Sequence, residues 1–449
     1  MIDVATLERL LPDFMVRQRW YGFGDVRPER VEVTDFEVWR DSWPGLVWAL
    51  ARPVFADEGA ESDARFQVLV GLRSIDEYMH FLDGKGRSLL GDVATGSGEA
   101  LAYDALVDGE LALEIVRRIA PDFPANAVRP LPVDQTNTSI VVDDSAILKV
   151  FRRIRAGANP DAELPRRLWD VGFHQTPEPI AEWRRGDDDL AVLRRFLPSG
   201  TDGFVLALTS LRDLYSSRLA PEQCGGDFAP EARRLGEVTA SLHTSLAQAF
   251  GSAPGDATAW TDAMADEVTR VEVPGISPDE LVVRVRQLVG HAGADVGAAV
   301  RIHGDFHLGQ TMRTDSGWFL LDFEGEPSRP LAERVLPASP LRDVAGMMRS
   351  FHYAADVALA ERGDDVDTEL RSLAAAWEAR ARTAFLDGYR AAVAGPESLV
   401  PTEPTAFASL LRAFELAKAV YEVGYELAHR PEWVDIPREA VQRLLSPPL

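Results

Sequence analysis

Near the start of the chain, apolar residues fall at Leu7, Leu10, Leu11 and Phe14, the three- and four-residue spacing of a helix that buries one face. The period then changes. Val31-Glu32-Val33, Leu46-Val47-Trp48-Ala49-Leu50 and Phe66-Gln67-Val68-Leu69-Val70 are short apolar or alternating runs, and they predict strands of an antiparallel sheet. Ala56 to Asp63 is acidic and carries Gly and Ser, the composition of a mobile hairpin loop. A glycine-rich segment from Gly91 to Gly98 precedes a new unit. It has no GxxxxGK(S/T) pattern and so is not a Walker loop.

From about 127 the pattern reads strand, turn, strand: Ala127 to Leu131, Gln135 to Ser139 running into Ile140-Val141-Val142, a turn at Asp143-Asp144, and Ala146 to Phe151. Asn159-Pro160-Asp161 supplies a capping side chain, a proline for the first helical position and an acid for the first turn, so a helix begins there. Beyond about 200 the helical period dominates. It predicts helices over 210–215, 232–250, 279–290, 342–360, 370–389 and 407–429, with no internal repeat.

Composition narrows the function classes. The 449 residues suffice for two or three folding units, and 46% hydrophobic with 26% charged is ordinary for a soluble protein. With 47 basic against 71 acidic residues the formal charge is −24, and no basic stripe is apparent, which argues against a nucleic-acid partner. An anionic substrate must then be received by local features. The lone cysteine, Cys224, leaves no intrachain disulfide and fits a reducing compartment. The N-terminus is acidic and lacks an apolar core of signal-peptide length, and no apolar run is long enough to span a bilayer. These features predict a cytoplasmic protein with no membrane partner.

The chemistry concentrates in His303-Gly304-Asp305-Phe306-His307-Leu308-Gly309-Gln310 and in Leu320-Leu321-Asp322-Phe323-Glu324. An aspartate, an amide five residues on and a second aspartate after an apolar run together suit phosphoryl transfer. Asp305 can accept the proton of an attacking hydroxyl, while Gln310 and Asp322 can hold magnesium against the phosphates of ATP. Glu324 is either a further metal or water ligand or a solvating side chain. His303 braces the loop. Two histidines four apart, His303 and His307, make a poor zinc site without a third ligand. Lys149, in the apolar strand Ile147-Leu148-Lys149-Val150, offers a compact charge for the phosphates, and Glu163, fourteen positions on (163 − 149 = 14), is its expected carboxylate partner. Gln135 to Ser139, without a glycine, stands where a phosphate loop belongs; a plain polar hairpin fits it equally well. Asp343 is expected to cap a helix or to hold the loop amides.

HGDxHxxQ, DFEGEP, the ILKVFRR strand, the helix start at Asn159 to Leu164, Gly226-Asp227-Phe228, Leu341 to Ser350 and Tyr421 to Trp433 resemble the actinobacterial maltokinase group. So does Gln18-Arg19-Trp20-Tyr21 near the start, and the likeness covers nearly the whole chain. The chain departs from that group where Gly22-Phe23-Gly24 stands for the usual Ala-Gly-Arg. It departs again after Arg194, where a Glu-Tyr-rich stretch is missing. These departures favour the divergent glucosamine kinase branch.

The resemblance implies an α+β, bilobal, eukaryotic protein kinase-like (aminoglycoside phosphotransferase-like) fold with an N-terminal cap. Its parts would be the cap over 1–108, a small β-rich nucleotide lobe and hinge over 109–197, and a mostly helical lobe over 198–449. It also implies Asp305 as catalytic base, ATP and Mg2+ as cofactors, and Gln310 and Asp322 as metal ligands, with Glu324 beside them. Lys149, Glu163 and Ser139 would face the phosphates, and Arg195, Phe196 and Leu197 would form the hinge beside adenine. For the sugar it implies Asp305, His307, Tyr421, Glu422, Tyr425, Glu426 and Trp433. Glu415, Lys418, Glu422, Glu426 and His429 share one helical face, where carboxylates beside an aromatic suit a protonated 2-amino sugar; salt bridging along a solvated helix explains the same spacing. The expected activity is a monomeric ATP- and Mg-dependent sugar kinase making glucosamine 6-phosphate. Maltose 1-phosphate formation is the alternative substrate reading, and a nucleotide-binding pseudokinase or scaffold is the alternative from another class.

Overall fold

The computed structural model describes residues 1–446 apart from 57–63, 76–81, 97, 132–135, 327–328 and 394–397. The loop expected over Ala56 to Asp63 therefore lies almost wholly outside the described residues, as does Gln135. The chain forms two compact units, Met1–Glu163 with Pro177–Pro198, and Leu164–Thr176 with Ser199–Leu449.

In the first unit, helix Val4–Val16 starts where Asp3 accepts the Thr6 N–H, and it buries Leu7, Leu11, Phe14 and Met15 as its spacing requires. Those side chains pack on Phe66, Val68 and Val70 of a sheet. The sheet runs Arg30–Arg40, Gly45–Val54, Arg65–Ser74, Gly98–Asp104, Leu89–Thr95, with each neighbouring pair antiparallel. The glycine-rich stretch is thus part of a hairpin, not a boundary. Gly91 adopts φ 149° and approaches Leu10 so closely that a Cβ would lie 3.0 Å from it, so glycine serves packing there.

A second sheet in the same unit runs Pro179–Arg185, Asp188–Arg195, Ala146–Phe151, Asn137–Val142, Val128–Leu131. Asp143 and Asp144 both take φ 49°, the left-handed pair that a tight hairpin turn demands, and Ser145 N–H closes it on Val142 O. The two sheets share one core: Leu46, Trp48 and Leu69 from the first join Ile140, Leu148 and Val192 from the second. That shared core also explains why the strands before and after residue 108 fall in one compact unit. Gln67, fully buried, accepts from Trp48 Nε1 at 2.8 Å and donates to Phe151 O and Leu190 O at 2.9 Å. Every hydrogen bond that its burial demands is made within the unit.

The second unit is helical around a single core. The expected helices appear as Gly203–Ser217, Ala229–Phe250, Pro278–Ala292, Leu341–Ala360, Thr368–Val393 and Pro404–His429. Gly109–Ile119 in the first unit, and Ala257–Thr269 and Asp435–Leu445 in the second, are further helices beyond those predicted. Leu341–Ala360 is buried along nearly its whole length, as a helix apolar on most sides must be. Among the described residues no helix is long and apolar enough to cross a membrane.

Candidate active site

In the first unit, Lys149 lies on the middle strand of the second sheet, facing Ser139 on one neighbour and Val192 on the other. Its ammonium is 3.1 Å from Asp161 Oδ2, and Arg194 reaches the other oxygen at 3.0 Å. Asp161 is wholly buried, and the two cations Lys149 and Arg194 face its carboxylate, the pairing that a buried charge requires. Asn159 Oδ1 accepts the Asp161 N–H at 2.9 Å, which fixes the first turn of helix Pro160–Asp170 and aims the carboxylate. Glu163, the partner expected from spacing, follows two positions on and is half-buried. Ser139 is buried within its strand. Phe196 donates its N–H to Ser145 O at 2.9 Å and Arg195 pairs with Glu178, so the segment leading to Leu197 is tied to its own sheet.

In the second unit, the loop 301–310 crosses over helix Leu341–Ala360 and is fastened to it in several places. Asp343, fully buried, accepts the His303 N–H at 2.8 Å and the Gly304 N–H at 2.9 Å. Ser350 Oγ accepts the Leu308 N–H at 3.1 Å. His303 points its Nε2 at Leu321 O, 2.9 Å away, and lays its ring against Phe306 and Phe323. These bonds join the loop to the segment that follows hairpin Thr311–Thr314 and Gly317–Leu320. The bracing expected of His303 and the amide-holding expected of Asp343 are both visible in this geometry.

The side chains so placed are Asp305, Gln310, Asp322 and Glu324. Gln310 Nε2 lies 3.5 Å from Asp322 Oδ2, and Asp322 and Glu324 each offer a carboxylate oxygen within 4.8 Å of the other. The amide can turn end for end, so its oxygen is available to the same point. Asp322 holds φ 54°, unusual for a residue with a Cβ, and the bond from Leu321 N–H to Gln310 O fixes it there. Closely spaced carboxylate and amide oxygens suit a hard divalent cation.

Asp305 is met by a charge from a distant helix and by a histidine of its own loop. Lys418 Nζ is 3.6 Å from its Oδ1, and His307 Nε2 is 3.9 Å from its Oδ2. Lys418 is also bonded to Glu326, a buried carboxylate that pairs with Arg329 and Arg342. Burial pushes the Glu326 carboxyl up, but Lys418, Arg342 and Arg329 outweigh it and hold it well below the usual range. Burial pulls Lys418 down, and Glu326 followed by Asp305 more than restores it, leaving it above an ordinary lysine. A cavity of about 340 Å³ adjoins them, lined by Gly304, Phe306, Glu326, Arg342 and Lys418 among others.

Helix Pro404–His429 puts Glu415, Lys418, Glu422 and Glu426 on one face, and that face is largely buried, not solvated. Each carboxylate has a cation from the same unit: Arg382 for Glu415, Arg349 for Glu422, Arg430 for Glu426. Tyr353 also donates to Glu426. Tyr421 lies under Lys418, with its ring centroid 4.7 Å from the ammonium. Tyr425 is exposed and stacks on His429, while Trp433 packs against the core with Arg430 over its ring.

The sequence showed Asp161 only as a first-turn acid and Lys418 only as a charge on one helical face, and it gave Glu326 no role; their ion pairs appear only in the structure. Asp161 had a signal in the capping motif, but helix phase, not the count of residues, selects which acid in a first turn faces a strand. Glu326 stands in DFEGEP without chemistry of its own, and its three cations come from scattered positions.

No established family profile matches the chain. It is 31% identical over 337 residues to a glucosamine kinase of Mycolicibacterium smegmatis, covering 72% of this chain and 80% of that protein. It is 30% identical over 338 residues to a glucosamine kinase of Streptacidiphilus jiangxiensis, covering 72% and 74%. Among solved structures, a glucosamine kinase in complex with glucosamine, ADP and inorganic phosphate superposes with a TM-score of 0.68 at 23% identity, over 98% of this chain and 99% of that one.

Proposed function

This chain belongs to the glucosamine kinase family, and from that premise we propose that it transfers the γ-phosphoryl group of ATP to glucosamine, giving glucosamine 6-phosphate and ADP. The observation that carries the reaction class is the braced loop that carries Asp305 and Gln310, with the Gln310 amide 3.5 Å from Asp322 Oδ2. Identity to two glucosamine kinases at 30% or more supports the sugar.

Asp305 takes the proton of the acceptor hydroxyl while that oxygen forms its bond to the γ-phosphorus. The bond from this phosphorus to the bridging oxygen breaks, and ADP keeps the electron pair. General-base assistance of this kind contributes about 10²–10⁴ in rate. Lys149, aimed by Asp161, meets the α- and β-phosphates. Magnesium, when held by Gln310, Asp322 and Glu324, supplies positive charge against the phosphates. The protein's own contribution is chiefly position and fixed charge.

For the acceptor, distance along helix Pro404–His429 sorts the expected contacts. At about 1.5 Å per residue, Glu422 lies roughly 6 Å along the axis from Lys418 and Glu426 roughly 12 Å. A monosaccharide held at Asp305 reaches the first step and not the second. Tyr421 and Glu422 are therefore the proposed contacts, and Tyr425, Glu426 and Trp433 support the helix end. His307, close to Asp305 Oδ2, orients the hydroxyl side of the base.

ADP release measured with glucosamine, maltose, glucose and an aminoglycoside tests this reading, with the phosphorylated position of the product assigned by phosphorus–proton NMR. Turnover is expected with glucosamine, at its 6-hydroxyl. Preference for maltose would replace the substrate. MgATP binding without turnover of any sugar would make the chain a nucleotide-binding scaffold.

A further inference from the structure

The chain has 47 basic residues, and only three of them are lysines: Lys85, Lys149 and Lys418. Arginine serves at every other cationic position. Lys149 has a place at the phosphates; Lys418 has none in the reaction as drawn, yet it is enclosed by specific partners. Its ammonium meets Glu326 Oε1 at 2.5 Å and lies 3.6 Å from Asp305 Oδ1 and 4.7 Å from the centre of the Tyr421 ring. Glu326 is itself fixed by Arg329 and Arg342, each at 2.7 Å, so the ammonium is anchored to a carboxylate that cannot drift.

We infer that Lys418 is a positioning residue for Asp305, an inference that rests on reading Asp305 as the base. Its charge holds Oδ1 and leaves Oδ2, on the His307 side, to receive the hydroxyl proton. At 3.6 Å the contact with Asp305 Oδ1 is ionic, longer than a hydrogen bond, so it sets the carboxylate's orientation while Oδ2 stays open to the proton. The compactness of lysine matters here. An ammonium presents tetrahedrally arranged donors to two carboxylates and a ring at once, whereas the planar guanidinium fork binds one carboxylate side-on and needs more room. Glu326 also balances the cation, so the surroundings of the base stay close to neutral and admit an acceptor that is itself charged.

The test is steady-state kinetics of the full chain with Lys418→Met, Asp305→Asn and the double variant, alongside MgATP affinity by calorimetry. Lys418→Met is expected to lower kcat about 10-fold or more with the KM for ATP within about twofold, and to cost little further in the Asp305→Asn background, because the two residues act as a unit. Lys418→Gln, which retains a neutral donor on a side chain one atom shorter, takes the place of the methionine variant if that one unfolds, with the same expected loss. A kcat within about threefold of wild type in the Lys418 variant, while Asp305→Asn is inactive, overturns the inference and leaves the base assignment standing. Wild-type turnover by Asp305→Asn removes the base assignment and the inference with it.

Discussion

Asp343 accepts the backbone N–H of His303 at 2.8 Å, forty positions back along the chain. Its other oxygen accepts the Gly304 N–H, while His243 Nε2, backed by Tyr389 OH on Nδ1, lies 3.1 Å from the oxygen that takes the His303 N–H. Burial raises this carboxyl, but the His243 bond and charge and the amide bonds lower it further, to below its ordinary value. Asp343→Asn keeps the shape and removes the charge. It is expected to cost about 2–4 kcal/mol of stability at pH 7 and to lower kcat with the loop. A depressed carboxyl contributes stability above its unfolded value, so the gap to wild type should close as pH falls below about 4. Urea unfolding at several pH values measures it.

Gly346 is the point at which helix Leu341–Ala360 passes under the loop. A Cβ there would lie 2.5 Å from Phe306 O. Gly→Ala inside a helix ordinarily gains about 1 kcal/mol, as is expected at Gly290, where a Cβ meets nothing within 4 Å. Gly346→Ala should instead destabilise by about 1–3 kcal/mol, the usual cost of overpacking, and displace Asp305. Thermal melts of both variants, with kcat, separate the two outcomes.

Asp161→Asn leaves Lys149 and Arg194 sharing a neutral amide in a buried place. The KM for ATP is expected to rise about 10-fold or more, with a smaller change in the KM for the sugar. Equal changes in both constants would mean that the pair supports the fold rather than the nucleotide.

Asp322→Ala removes the carboxylate 3.5 Å from the Gln310 amide and should raise the magnesium concentration needed for half-maximal rate. Chelation of divalent cations should abolish turnover in the wild type, and restored magnesium should return it. A rate indifferent to chelation would take Gln310, Asp322 and Glu324 out of the reaction.

Glu378 supplies a pH test remote from the chemistry. Burial raises its carboxyl, yet the hydrogen bond and charge of His352 and then Arg443 and Arg382 bring it from 4.5 down to about 2. The contribution is present above pH 4.5 and lost as pH falls towards 2. Glu378→Gln should cost on the order of 3 kcal/mol at pH 7 and almost nothing near pH 2, read from denaturant midpoints.

Much of the fold was legible because period is local. The spacing of Leu7, Leu11 and Phe14 gave a helix, Ala146 to Phe151 gave a strand, and Asp143-Asp144 gave the turn between two strands. Gly91 to Gly98 misled for the opposite reason. Gly91 answers to Leu10, far away in sequence, and a hairpin under a helix has the composition of a linker.

What the sequence determined by itself was the order of chemical groups: Asp305, Gln310 and Asp322 at spacings that only a loop and a following strand could bring together. It also determined Lys149 in an apolar strand and a helix whose charged residues recur on one face. What the tertiary structure alone decided was which charges meet. Asp161 faces Lys149, Glu326 anchors Lys418 beside Asp305, and arginines from other helices occupy Glu415 and Glu422. Periodicity reports which side of an element is apolar, whereas a buried ion pair depends on the rotation and approach of two elements packed together, which no stretch of sequence contains.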